Sequence, residues 1–169
     1  MMGLTDFNLT PKAKQGLKDA KNFAEANGHS VVDCSHLIYG CLANLSDSLK
    51  IKFKGYGVPL DTERYAKIFR EYASKHPKKF ESTKGQGGWH QDVNDIIVFA
   101  KEFSDMFDSF FINVEHILYT VLDMGGELVE YLRSKEIEPA HVKDVIETHV
   151  LETSIPPTDQ VKNILQIEG

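Results

Sequence analysis

No uncharged apolar run in this chain approaches the roughly 20 residues needed to cross a bilayer as a helix; Ile96 to Ala100, and Phe110 to Val114 with its one Asn, are far short of it. The first residues, Met1 to Asn8, have neither the basic start nor the apolar stretch of a secretion signal, so a cytoplasmic protein is expected. Cysteine is scarce. Cys34 and Cys41 are two helical turns apart, about 10.5 Å of rise, which is too far for a disulfide and reads as two buried, reduced thiols. There is no Gly-x-x-x-x-Gly-Lys-Ser/Thr phosphate cradle and no Gly-x-Ser-x-Gly elbow, which leaves no sequence basis for an ATPase or an α/β-type hydrolase. A basic face is missing as well: 19 Lys and Arg stand against 25 Asp and Glu. The two short clusters, Lys50 to Lys54 and Lys75 to Lys79, are surrounded by acids, so a nucleic-acid partner is not expected.

With 41% hydrophobic and 26% charged residues, the 169-residue chain has enough apolar surface to close one domain without staples. Thr10-Pro11 opens a first helix, since Thr caps well and Pro suits the first helical position. Ala13, Leu17, Ala20, Phe23 and Ala24 give it one apolar stripe, and Asn27-Gly28 ends it. Further helices are expected from about Cys34 to Ala43, Ser48 to Lys54, and behind Asp61 through Tyr72. The stretch from Ser74 to His90, rich in Gly and polar residues, reads as a linker. Helices then resume at about Gln91 to Phe107, Val114 to Leu122, Glu127 to Ser134 and Pro139 to Leu151, with no strand alternation. Residues 152–169, with Pro156-Pro157, read as a flexible tail.

The second half repeats the first. Setting His36 on His116 gives an offset of 116 − 36 = 80, which places Val32, Leu37, Tyr39 and Leu42 on Ile112, Ile117, Tyr119 and Leu122. Upstream, Ala20 and Phe23 fall on Ala100 and Phe103; downstream the offset drops by one, and Leu49, Phe53 and Val58 fall on Leu128, Leu132 and Ile137. A tandem duplication of a four-helix unit is expected, with repeat one at about 5–73, a linker at about 74–90 and repeat two at about 91–151.

The paired segments Gly28 to Leu42 and Phe111 to Leu122 resemble the repeat of the N-terminal domain of Clp-type AAA+ unfoldases, in which a helix ends near Gly-His and the next starts with Thr-Glu-His-Leu-Leu. Thr10 to Lys14 is similar to that repeat's opening, and Gly57 to Asp61 to its Gly-Val-Asp turn; the likeness covers roughly residues 5 to 151. It implies an all-α, pseudo-twofold bundle of eight helices without catalytic residues or cofactor. It also implies a role in receiving substrate or adaptor proteins for a Clp ATPase ring, in cis or in trans. Some members read phosphoarginine through the Thr-Glu pair at the second helix of each repeat. Here those positions are Cys34-Ser35 and Val114-Glu115, so one Glu remains and both Thr hydroxyls are gone.

Seven histidines invite a metal reading, but Cys34-Ser35-His36 has no second ligand cluster to complete a tetrahedral set. Ser35-His36 and Glu115-His116 hold residue types for hydrolysis, yet neighbours on a helix point about 100° apart and form no dyad. Phe103, Met106, Phe107, Phe110 and Phe111 exceed what one helix face needs, so part of this group is expected at the seam between repeats or on a partner-gripping patch. Trp89 reads as an exposed anchor, against the alternative that it staples the linker onto the second repeat. Protein-contact residues expected from sequence are therefore Ser35, Trp89, Phe110 and Glu115, in a domain that is monomeric by itself and binds neither nucleic acid nor membrane. A free-standing relative that binds partner proteins as a competitor or decoy is the second functional reading.

Overall fold

The computed structural model describes residues 7–77 and 88–154. Eight helices lie in these residues: α1 (Pro11–Ala26), α2 (Cys34–Ala43), α3 (Asp47–Gly55), α4 (Thr62–Lys75), α5 (Gln91–Met106), α6 (Val114–Met124), α7 (Glu127–Ser134) and α8 (Pro139–Ser154). Their starts follow local chemistry. The Thr10 hydroxyl accepts the Ala13 N–H at 3.0 Å, the Ser46 hydroxyl that of Leu49 at 3.2 Å and the Asp61 carboxylate that of Arg64 at 2.8 Å. Helix α8 runs a turn past the expected end, so 152–154 belong to it; the rest of the expected tail, 155–169, and residues 78–87 of the linker lie outside the described residues.

One apolar core spans both halves, and α2 and α6 run through it. Both are apolar on nearly every side, which suits helices covered all round. Helices α1 and α2 approach at a pair of glycines. A Cβ added to Gly40 would lie 2.0 Å from the Gly16 carbonyl oxygen, so the helix backbones are in direct contact there. The 80-residue register puts Ile96 and Thr120 at these positions, so repeat two has a side chain at each place where repeat one has glycine.

The duplication is visible atom by atom. Phe23 stacks on Tyr39 with ring centroids 4.0 Å apart, and Phe103 stacks on Tyr119 at 4.1 Å. His36 Nδ1 accepts the Asp33 backbone N–H at 3.0 Å; His116 Nδ1 accepts that of Asn113 at 2.9 Å. The β-pairings among the described residues are two single-residue parallel bridges, Leu9 with Ile112 and Val32 with Trp89. Each is the image of the other, since 89 − 9 = 112 − 32 = 80. Thr10 N–H donates to Ile112 O at 3.0 Å and Ile112 N–H to Asn8 O at 2.8 Å; Val32 N–H donates to Gly88 O at 2.7 Å and His90 N–H to Val32 O at 2.8 Å. The arm leading into each repeat thus pairs with the interhelix loop of the other.

The repeats also clasp through their outer helices. Lys52 on α3 donates to His149 Nδ1 on α8 at 3.3 Å and pairs with Glu152. On the related side, the Tyr131 hydroxyl on α7 donates to Glu71 on α4 at 2.6 Å. No helix among the described residues is long and apolar enough to cross a membrane.

Candidate functional site

Helices α1 and α5 end in the same turn. Gly28 at φ 75° and Asp108 at φ 59° are both left-handed, and the next N–H reaches back to the helix: His29 to Ala24 O at 2.9 Å, Ser109 to Ser104 O at 3.0 Å. The side chains that follow differ. Repeat one carries Ser30 and Val31, with Val31 buried; repeat two carries Phe110, 74% exposed, and Phe111, 49% exposed. Their rings meet edge to face at 5.1 Å, and Met106, one turn back, is 74% exposed. Three large apolar side chains thus stand in water at the end of α5 and on the loop that follows, while Phe103 and Phe107 of the same stretch pack into or against the core.

Beside this ridge, between the α5–α6 loop, the start of α6 and the end of α8, is a pocket of about 380 Å³ walled by Thr10, Phe107, Phe111, Glu115, His116 and Thr153 among others. Glu115 sits in the first turn of α6, where the helix dipole favours a carboxylate. It is only 8% exposed, and its Oε1 has no hydrogen-bond partner among the described residues. A buried carboxylate oxygen left unpaired is costly, which marks the position as unusual. Burial and the nearby Glu115 charge both push the Cys41 thiol well above its ordinary range. Burial lowers the pKa of His149, and Glu115 partly offsets that. His116, buried against the core, is lowered to about 4 and is therefore neutral near pH 7. Its Nδ1 accepts a backbone N–H, so its proton is on Nε2.

A larger cleft of about 700 Å³ lies in repeat one, where Tyr39, Leu42, Phe53, Val58 and Leu60 form an apolar wall and Lys50 and Lys54 contribute charge. No buried polar side chain there lacks a partner, so it offers greasy surface without a specific chemical demand.

Of the sequence-expected contact residues, the structure brings Phe110 and Glu115 to this one corner. Ser35 is elsewhere: it is 1% exposed, its hydroxyl bonds Asp33 and its carbonyl accepts the Tyr65 hydroxyl at 2.6 Å, so it presents no surface to a partner. Trp89 is half-buried, packed on the core and bridged to Val32 of repeat one. It fastens its arm to the first repeat and is not the exposed anchor its glycine-rich surroundings suggested. Cys34, expected buried, is half-exposed. Thr10, His116 and Thr153 were not expected at a contact site, and Phe111 was expected only as one of a larger aromatic group. The replacement of Ser30-Val31 by Phe110-Phe111 in the 80-residue register was the signal that would have singled out Phe111 within that group.

A family model for the Clp repeat (R) N-terminal domain matches residues 8–135. The chaperone protein ClpB of Clostridium perfringens is 26% identical over 134 residues, 76% of this chain and 15% of that protein. The chain therefore spans about one-seventh of that relative's length. Among solved structures, the N-terminal domain of the caseinolytic protease associated chaperone ClpD from Arabidopsis thaliana superimposes with a TM-score of 0.71 at 16% identity, covering 88% of this chain and 99% of that one. The Hsp104 N-terminal domain from Candida albicans gives a TM-score of 0.61 at 14% identity, covering 82% and 89%.

Proposed function

This chain belongs to the Clp repeat N-terminal domain family, and from that premise we propose that it is a noncatalytic module that recognises substrate or adaptor proteins for a Clp-type chaperone or chaperone–protease machine in the cytoplasm. The observation that carries this reading is the corner of repeat two described above, where Met106, Phe110 and Phe111 stand exposed next to a pocket holding the Glu115 carboxylate. Repeat one, built on the same backbone, has Ala26, Ser30 and Val31 at these places. The ridge is therefore a feature that the duplicated fold does not require. The two phenylalanine side chains, with two flexible bonds each, lose little entropy on contact, and the more adaptable Met106 beside them suits the gripping of varied hydrophobic segments. So small a patch gives weak, transient contacts, which a ring of copies would strengthen by avidity.

The test is direct binding. A permanently unfolded, fluorescently labelled client protein is titrated with the purified domain and followed by anisotropy. The double variant Phe110→Ser/Phe111→Val writes the repeat-one residues into repeat two without touching a buried side chain. Binding about tenfold weaker is expected for the variant. Equal binding by the two proteins would refute the assignment of this surface.

A further inference from the structure

Repeat one holds a clue to what repeat two is built to accept. His29 and Ser109 occupy equivalent places, 109 − 29 = 80, after the same left-handed turn. In repeat one His36 Nδ1 accepts the Asp33 N–H, which puts the proton on Nε2, and Nε2 lies 3.0 Å from Nδ1 of His29. The Nε2–H of His36 therefore donates to a second imidazole. In repeat two His116 has the same cap bond and the same Nε2–H. But residue 109 is serine, whose hydroxyl turns to Phe111 O at 2.7 Å. The Nε2–H of His116 has no acceptor among the described residues, and where repeat one has a ring, repeat two has the pocket lined by Phe107, Ser109, Phe111, Glu115 and His116.

The charge has moved as well. In repeat one the carboxylate near the paired imidazoles is the cap residue Asp33, 3.3 Å from His36 Nδ1. In repeat two the cap is the neutral Asn113, and a carboxylate appears instead at Glu115, more than nine-tenths buried with Oε1 unpaired. The pocket thus presents one N–H donor, one carboxylate acceptor and two aromatic rings.

Resting on the recognition reading above, we propose that this pocket takes a histidine side chain of a partner protein, one ring nitrogen accepting from His116 and the opposite N–H donating to Glu115. A neutral imidazole carries an acceptor and a donor in one flat ring, and the fold already uses it in that place in repeat one. Ammonium and guanidinium groups have donors only and would leave the His116 N–H facing another donor. A carboxylate would be repelled by Glu115.

The domain, labelled with ¹⁵N, is titrated to millimolar concentrations with N-acetyl-histidine methylamide, and in parallel with the corresponding arginine and glutamine derivatives. Saturable shifts confined to amides around 107–116 are expected for histidine, with the other two several-fold weaker. Glu115→Gln weakens the histidine response about tenfold through loss of the charge-assisted bond. Ser109→His fills the pocket from within and abolishes it, while the variant's melting temperature shows that it is folded. Absence of histidine-induced shifts, an equal or stronger response to arginine or glutamine, or undiminished binding by Ser109→His would overturn the proposal. Client binding by the Phe110–Phe111 ridge is measured on the same samples, so that loss of the imidazole site and failure of the recognition surface give different results.

Discussion

Replacing Gly40 by alanine is the most severe small perturbation this fold offers. The new methyl carbon would meet the Gly16 carbonyl oxygen at 2.0 Å, the Gly16 carbonyl carbon at 2.9 Å and the Ala20 nitrogen at 3.1 Å, all of them backbone atoms. No rotamer can relieve a contact with backbone, so α1 and α2 must separate by about 1 Å before the contacts become tolerable. That separation loosens the packing of Ala13, Leu17 and Ala20 against α2 and weakens any Cα–H···O contact between the two glycines. Overpacking of this kind costs about 3 kcal/mol, and the better helix propensity of alanine returns up to about 1 kcal/mol. The net loss is about 2–3 kcal/mol, a lowering of the melting temperature by about 5–10 °C for a domain this size. Urea titration followed by far-ultraviolet circular dichroism and by fluorescence of Trp89, the sole tryptophan, reads both the helices and the arm that bridges the repeats. Gly55→Ala at the end of α3, where an added Cβ meets nothing within 4 Å, is the control and should be neutral or slightly stabilising. A Gly40→Ala protein within about 0.5 kcal/mol of the parent would refute the close approach of α1 and α2.

Glu136 adopts a left-handed φ of 67° where repeat one has Gly57 at 72° (136 − 57 = 79), so Glu136→Gly should raise stability by about 1 kcal/mol, read from the urea midpoint; a loss would show that the Glu136 side chain matters more than its backbone strain. Acid should destabilise the domain through its buried histidines. The His116 pKa falls from 6.5 to about 4 on folding, so its contribution is fully present above pH 6.5 and is lost as the pH drops towards 4, up to about 3 kcal/mol. His29 and His149 are also lowered, burial being the main cause, and act in the same direction. Measured at pH 7.5 and 4.5, His116→Gln should show a flatter dependence than the parent, and an unchanged slope would rule His116 out as a main contributor.

The helices were legible because their signals are local. Thr10-Pro11, Asp33 and Asp61 start helices by capping, and stripes such as Ala13-Leu17-Ala20 have helical spacing whatever they pack against. The duplication was legible because His36 and His116 hold the same cap bond in each copy, a role few other side chains fill. What stayed hidden depends on contacts distant in sequence. Trp89 sits among glycines that suggest exposure, but its surroundings are set by Val32, far away in the chain. Gly16 and Gly40 read as weak points in two helices until the helices are placed together. The burial of Glu115 and Ser35 follows from packing around α2 and α6, and periodicity alone could not distinguish a solvated first-turn residue from an enclosed one. Phe110 and Phe111 carried the opposite ambiguity, since aromatic residues in a run usually mark a core.

The exchanged arms set an order for folding. As the chain leaves the ribosome, the loop at Val32 emerges long before Gly88 and His90, the residues whose backbone completes its hydrogen bonds. The Leu9 arm waits longer still for Ile112, and the Thr10 hydroxyl for the Asn113 side chain, 103 positions away. The first repeat therefore spends its nascent life with an arm and a loop edge unmet, and closure comes late, in one cooperative step, when the second repeat arrives. A ribosome-stalled chain ending before residue 88 should accordingly be protease-sensitive along its whole exposed length, whereas one extended past the end of α8 should become resistant all at once.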